Sequence, residues 1–280
     1  MADNYLEKQM EDYRAGKLAG KARTKTIVQS HRTGDLVVPY PQLRVFITGG
    51  ASGIGESCVE AFRKINAKVA FCDIDRKRGN ETAQKFGARF YPLDVRDAVK
   101  LNHAINDAIS TWGDIDVLIN NVGIGGFKRL EDMSDDDWHQ VVETNLQSAF
   151  ICSRALAIHR NGNGHRGGTI INISSTRAFQ SEPDTIAYSA TKGAIVSLTH
   201  SLMSSMAAYG ITANCIAPGW INTKDEALTD SDKSQHPSGR VGLAADVARL
   251  ALFLAHPDNN FINGTVIPVD GGMTRKMIYC

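Results

Sequence analysis

The 280-residue sequence has no apolar run near the roughly 20 residues that a membrane-spanning helix requires. It also has no excess of charge, because 31 lysines and arginines are balanced by 30 acidic residues, so charge indicates neither nucleic acid nor a membrane surface as a partner. The five cysteines are an odd number, scattered and without a CxxC pair, which is typical of reduced thiols packed as small apolar side chains. Together these absences predict a cytoplasmic protein.

Residues 1–42 are rich in charge and end in Pro39-Tyr40-Pro41, and we interpret them as an extension that docks on the main domain. From residue 43 onward, short β-rich runs alternate with helix-length segments, which predicts βαβ crossovers and a parallel sheet covered on both faces. The predicted strands are 43–48, 68–73, 89–93, 117–120, 169–174, 211–217 and 265–269. The predicted helices include 55–65, 98–112, 136–159, 187–209 and 244–256. We therefore expect residues 43–280 to form one α/β domain with a doubly wound sheet of seven parallel strands.

A glycine-rich motif, TGGASGIG at 48–55, follows the first predicted strand and precedes a helix that starts near Ile54. Glycines allow a tight turn and let backbone amides approach a pyrophosphate without an intervening Cβ. The free N–H groups and the dipole of the following helix favour phosphate charge. Although Gly49, Gly53 and Gly55 are spaced as GxxxGxG, their position between strand and helix predicts a dinucleotide-binding loop.

Asp73 ends the second predicted strand, about 20 residues after the glycines, where an acid can bind the adenosine ribose hydroxyls. A carboxylate there repels the 2′-phosphate of NADP, so NAD is preferred over NADP. The basic run 76–78 is interpreted as a solvated first turn of a helix. Residues 94–95 and 120–123 follow the third and fourth strands at the edge where open α/β sheets bind ligands, although turn chemistry explains Asn, Asp and Gly there equally well.

Tyr188 and Lys192 are four residues apart in a helical pattern and hence lie on one face. A free tyrosine has a pKa near 10, and a neighbouring ammonium is expected to lower it toward the range useful for acid–base catalysis. Ser175 follows a predicted strand, where its hydroxyl can polarise a carbonyl. The YxxxK pattern alone has little value, because Tyr13 and Lys17 match it by chance.

Taken together, these motifs resemble the short-chain dehydrogenase/reductase family in its single-domain form, over residues 43 to about 273. The resemblance rests on TGGASGIG at 48–55, Asp73, LDV at 93–95, NNVG at 120–123, Asn145, Ser175, Tyr188, Lys192, Pro218-Gly219 and VDGG at 269–272. It implies a Rossmann-like fold with Tyr188 as general acid/base and Lys192 lowering its pKa and binding the ribose. It further implies that Ser175 orients the substrate oxygen and that Asn145 holds a water linking Lys192 to solvent.

The resemblance also assigns the segment after the sixth strand to the nicotinamide, with backbone contacts from Ile221 and a hydroxyl from Thr223. The complete set of predicted cofactor residues is Gly49, Ser52, Gly53, Ile54, Gly55, Asp73, Asp94, Val95, Asn121, Gly123, Tyr188, Lys192, Pro218, Gly219, Ile221 and Thr223. The predicted substrate pocket contains Ser175, Gln180, Tyr188 and Trp220. Between residues 223 and 240 the lid is short and polar, which predicts an open or polar pocket partly closed by Trp220, Phe179 or the N-terminal extension.

These expectations combine into an NAD-dependent oxidoreductase acting on a secondary alcohol or ketone, with a sugar, polyol, hydroxy acid or steroid-like substrate. One alternative is an NADPH-dependent 3-oxoacyl-carrier-protein reductase, which shares the fold and the catalytic set. A second alternative, from another class, is a non-catalytic dinucleotide sensor. No metal is expected, because His159 and His165 flank a glycine-rich loop with no common ligand spacing. The family further implies a homotetramer, with the helices of Asn145 and Tyr188 at one interface and the C-terminus at another.

Overall fold

The computed structural model of the chain describes residues 40–224 and 226–277. The strands are β1 (Arg44–Thr48), β2 (Lys68–Asp73), β3 (Arg89–Pro92), β4 (Val117–Asn120), β5 (Thr169–Ile173), β6 (Thr212–Pro218), β7 (Ile221–Asn222), β8 (Gly242–Leu243) and β9 (Val266–Val269). Seven of them form a parallel sheet in the order β3-β2-β1-β4-β5-β6-β9, while β7 and β8 pair separately. The chain runs outward from β1 in both directions, so the sheet is doubly wound, as predicted.

Eight α-helices connect these strands in the described residues. They are α1 (Gly53–Lys64), α2 (Arg76–Phe86), α3 (Ala98–Trp112), α4 (Asp135–Val142), α5 (Ser148–Asn163), α6 (Ile186–Met206), α7 (Asp230–Ser234) and α8 (Ala244–Ala255). No helix among the described residues is both long and apolar enough to cross a membrane.

Alternate residues of each central strand supply two separate cores, because successive side chains of a strand point to opposite faces. Val45 and Ile47 of β1 pack in one core with α1 and α8. Phe46, between them, packs in the other core with α3 and α5. Helices therefore cover both faces of the sheet, which explains why the central strands are continuous apolar runs.

The predicted α/β fold is confirmed, and most predicted boundaries lie within two residues of the observed ones. Of helix α2, the sequence predicts only the first turn at 76–78, because the fully buried residues of this helix are Gly79 and Thr82 and not large apolar side chains. The predicted helix 136–159 is interrupted by a π-helical turn, Glu143–Gln147, between α4 and α5. The docking extension predicted for residues 1–42 lies outside the described residues except for residues 40–42.

Candidate active site

The carboxyl ends of the central strands open onto a cleft of about 550 Å³. This is the edge at which open α/β sheets bind ligands. The cleft brings together these predicted cofactor residues: Gly49, Ser52, Gly53, Ile54, Asp73, Asn121, Gly123, Tyr188, Lys192, Pro218, Gly219, Ile221 and Thr223. Gly55, Asp94 and Val95, which were predicted with them, do not line it.

The glycine-rich loop is shaped by three glycines with different roles. Gly49 and Gly53 have φ angles of 70° and 57°, which side chains rarely tolerate. At Gly55, a Cβ would lie 1.8 Å from the carbonyl oxygen of Gly49, so this residue closes the turn although it does not face the cleft. The amide of Asn121 braces the same turn by donating to the carbonyl oxygens of Thr48 (3.0 Å) and Gly49 (2.9 Å). The loop thus presents backbone to the cleft.

The carboxylate of Asp73 is held beside this loop at the end of β2. One oxygen accepts a hydrogen bond from the backbone N–H of Ala51 and the other from that of Asp75, both at 3.0 Å. Asp94 instead forms an ion pair with Arg96, whose side chain and backbone N–H keep the pKa of Asp94 low. The carboxylate of Asp94, a predicted cofactor residue, is therefore already engaged within the protein, and the adjacent Val95 is 5% exposed.

A second cavity of about 450 Å³ adjoins the cleft. Ser175 and Tyr188 line both spaces and therefore lie at the boundary between the cleft and the cavity. Phe127 also lines both and packs edge-on against the Tyr188 ring, with 5.7 Å between ring centroids. The backbone N–H of Arg177 donates to the Ser175 hydroxyl oxygen over 3.2 Å and fixes that side chain in a short 3₁₀ turn, Thr176–Ala178.

Lys192 lies beneath Tyr188 with only 3% of its surface exposed. Its ammonium donates to the carbonyl oxygen of Ile173 at 2.9 Å and is 5.5 Å from the centroid of the Tyr188 ring. Burial lowers the pKa of Lys192 to about 8, since a charged group loses hydration there. A Cβ on Gly123 would lie 3.2 Å from this ammonium, so glycine leaves room for the lysine head group.

Asn145 is placed by the π-helical turn, a feature that often marks functional sites. Its side-chain oxygen accepts from the backbone N–H of Ile124 at 2.8 Å. Its amide donates to the carbonyl oxygen of Ile124 (3.0 Å) and to the hydroxyl of Thr191 (3.1 Å). Both N–H groups are therefore used within the protein, and a water predicted at Asn145 has only acceptor atoms left to bind.

The pKa of Tyr188 is shifted by groups other than the predicted Lys192. Burial dominates and raises the pKa of Tyr188 above 10. The Ser175 hydroxyl and the positive charge of Arg177 act in the opposite direction, whereas the ammonium of Lys192 is directed at the Ile173 carbonyl. The cation that favours the phenolate here is Arg177.

The second cavity contains the predicted pocket residues Gln180 and Trp220, together with residues that sequence reasoning missed. The missed ones are Phe127, Thr176, Arg177, Ser181, Gln235 and Met273. Phe179, expected to close the pocket, is 52% exposed and does not line it. The position of Arg177, two residues after the predicted catalytic serine, is the one sequence signal that could have identified it.

Comparison with known proteins identifies similar chains along almost the whole described domain. A family model described as enoyl-(acyl carrier protein) reductase matches residues 49–274. An uncharacterized oxidoreductase of Thermotoga maritima is 41% identical over 248 residues, covering 83% of this chain and 96% of that protein. The 3-oxoacyl-[acyl-carrier-protein] reductase FabG of Chlamydia trachomatis is 34% identical, covering 81% of this chain and 95% of that protein.

Solved structures share the fold at similar coverage. An apo SCOR enzyme from Clostridium thermocellum superposes with a TM-score of 0.77 at 38% identity, covering 84% of this chain and 94% of that one. ElxO with NADP bound superposes with a TM-score of 0.77 at 32% identity, covering 84% of this chain and 100% of that one. A 3-ketoacyl-(acyl-carrier-protein) reductase from Brucella melitensis complexed with NADH superposes with a TM-score of 0.76 at 29% identity, covering 83% of this chain and 98% of that one. Structures similar to this chain thus contain NADP in one case and NADH in another.

Proposed function

The chain belongs to the short-chain dehydrogenase/reductase family, and on that premise we propose that it is an NAD(H)-dependent oxidoreductase that interconverts a secondary alcohol and a ketone. The observation that carries this proposal is the position of Ser175 and Tyr188, which line the dinucleotide-type cleft and the adjoining cavity together. A proton donor at the boundary between two such spaces is what carbonyl reduction requires.

The cleft fits a dinucleotide because the turn that Gly55 closes presents backbone rather than side chains, and Asp73 lies beside it. When bound, NAD(H) supplies the hydride acceptor or donor. In ketone reduction, Tyr188 donates its phenolic proton to the carbonyl oxygen while Ser175 donates a hydrogen bond to the same oxygen. In alcohol oxidation, Tyr188 takes the hydroxyl proton. Lys192 binds the ribose and carries protons toward Asn145.

Replacing Tyr188 with phenylalanine tests the proton transfer, because the ring remains and only the hydroxyl is lost. General acid–base catalysis contributes about 10²- to 10⁴-fold, so kcat should fall by at least that factor. The Kd for NADH, measured by fluorescence titration, should stay unchanged. Tyr209→Phe is the matched control, since Tyr209 lies in the 3₁₀ turn that follows α6 and lines neither space. Turnover retained in Tyr188→Phe would contradict the mechanism.

The preference for NAD is proposed from the Asp73 carboxylate, which would face the 2′-phosphate of NADP. Like charges brought together cost several kcal/mol, so Asp73→Asn should reduce the ratio of kcat/KM for NADH over NADPH by about tenfold or more. Asp75→Asn is the control, because that neighbouring acid caps α2 and does not line the cleft. A wild-type enzyme that prefers NADPH would instead favour the alternative that its FabG relatives suggest, a 3-oxoacyl-carrier-protein reductase.

A homotetramer is also proposed, in line with the family. Phe150 and Ile158 on α5 are 47% and 68% exposed, and Phe253 on α8 is 48% exposed, which supports two apolar surfaces on different helices. Light scattering of the purified protein tests this assembly, and a monomer at micromolar concentration would contradict it. The cytoplasmic location stays a prediction.

A further inference from the structure

The cavity beside Ser175 and Tyr188 contains one charge of each sign among the described residues that line it. Arg177 is its cation and Glu182 its anion, and the other lining side chains are neutral. The two members of this ion pair differ in exposure, because the side chain of Glu182 is 71% exposed whereas that of Arg177 is 25% exposed. The positive charge therefore lies deeper in the cavity than the negative charge.

One terminal nitrogen of the Arg177 guanidinium is paired with an acid, and the other has no hydrogen-bond acceptor among the described residues. Its Nη2 lies 2.6 Å from the Glu182 carboxylate, while Nη1 is enclosed and has no acceptor among the described residues. An enclosed donor without an acceptor is costly, and the cost is larger for a charged group. Arg177 lines the cavity, so an oxygen of a bound molecule is the kind of acceptor that this guanidinium lacks.

The backbone places this guanidinium next to the reacting groups. Arg177 lies in the 3₁₀ turn that begins after Ser175, and its own N–H donates to the Ser175 hydroxyl. A molecule whose oxygen contacts Ser175 and Tyr188 consequently has Arg177 within the span of a few carbon atoms.

We propose that Arg177 binds the carboxylate of the substrate, so that the substrates are small hydroxy acids and the oxo acids formed from them. This inference rests on the proposed function: the hydroxyl proton passes to Tyr188 and the hydride to NAD⁺. A planar guanidinium fork matches the two oxygens of a carboxylate. Glu182 at the opening disfavours the higher negative charge of a phosphate ester. A neutral polyol would offer Nη1 a hydrogen bond but no negative charge, and hydrogen bonds between charged groups are the stronger ones.

Matched substrate pairs that differ in one negative charge test the proposal. Suitable pairs are D-gluconate with D-glucitol, glycerate with glycerol, and 3-hydroxybutyrate with its methyl ester. Wild-type enzyme should prefer the acid of at least one pair. Arg177→Gln should raise the KM for that acid about 10- to 100-fold, the range expected for loss of a hydrogen bond between charged groups, and leave the KM of the neutral partner unchanged. Arg177→Lys should restore part of the preference, since it keeps the charge but loses the fork.

Two controls separate substrate binding from a structural role. Arg249→Gln removes another arginine of an acid pair, on α8 and outside both spaces, and should change neither KM. The Kd for NADH and the thermal midpoint should be equal in wild type and Arg177→Gln, which shows that the variant is folded with an intact cleft. Glu182→Gln should lower the KM for the acid, because it removes a competing carboxylate.

Different outcomes contradict different parts of the reasoning. Equal use of acid and neutral partner in every pair, or an acid preference that survives in Arg177→Gln, would overturn the role of Arg177 while the oxidoreductase remains. If no member is turned over, calorimetric titration of the NAD⁺-saturated protein with the three acids decides. Acid binding that Arg177→Gln abolishes supports the carboxylate site and contradicts the proposed reaction, whereas no acid binding overturns both.

Discussion

Replacing Lys192 with methionine is expected to change how the stability of the ligand-free protein depends on pH. The ammonium is almost fully buried, and burial lowers its pKa from 10.5 to about 8. Between these two values the unfolded chain binds more protons than the folded chain, so the free energy of unfolding of the wild type rises with pH in this window. The cost of burying the charge is fully present below pH 8 and is lost toward pH 10.5.

The size of the effect follows from the two pKa values. Each pKa unit corresponds to about 1.36 kcal/mol, so the full cost is about 3 kcal/mol, of which about 2 kcal/mol is relieved between pH 7 and pH 9.5. Methionine has no charge to bury. The difference in unfolding free energy between Lys192→Met and wild type should therefore move by about 2 kcal/mol in favour of wild type over that interval. Loss of the hydrogen bond to Ile173 changes the unfolding free energy of Lys192→Met by the same amount at both pH values, so it cancels in this comparison.

Urea unfolding at pH 7 and pH 9.5, followed by tryptophan fluorescence at one fixed protein concentration, measures this difference. Lys64→Met is the control, because the Lys64 side chain is 72% exposed and keeps its hydration in the folded state. A Lys192→Met difference that is the same at both pH values would refute the reasoning. The same variant should lack turnover, so the charge that destabilises the fold is retained for function.

Three further outcomes are expected. Gly55→Ala should weaken NADH binding in a fluorescence titration and lower the free energy of unfolding by about 1–3 kcal/mol, because the added methyl meets backbone at 1.8 Å. Gly162→Ala is the control: its methyl meets open space within helix α5, so it should leave NADH binding unchanged and should not lower the free energy of unfolding. In a pH–rate profile, alcohol oxidation should keep rising above neutral pH and ketone reduction should not, since burial raises the pKa of Tyr188 and oxidation needs its phenolate. A flat oxidation profile would contradict this. Arg160→Met should cost about 3 kcal/mol in urea unfolding, because it removes the 3.0 Å partner of the buried Asp114 carboxylate and the donors to two backbone carbonyl oxygens, while Arg44 stays 3.6 Å from that carboxylate. A loss below 1 kcal/mol would count against this.

The order of strands and helices could be predicted because both signals are local. A buried parallel strand needs an apolar run, and a helix that covers it needs apolar residues at helical spacing. Only the first turn of helix α2 was predicted, for the same reason, since the fully buried Gly79 is not a large apolar residue. There a Cβ would lie 2.1 Å from the Phe90 ring, which is a tertiary contact.

The sequence by itself determined the doubly wound fold and the glycine-rich turn, because backbone conformation and apolar periodicity are written in neighbouring residues. It also predicted Ser175, Tyr188 and Lys192 as one group, and the three line the same cleft at the edge of the sheet. Only the tertiary structure decided the electrostatics of that edge. Burial and charge depend on residues far apart in the chain, so the pKa of Tyr188, the direction of the Lys192 ammonium and the presence of Arg177 in the adjoining cavity emerged only when the strands came together.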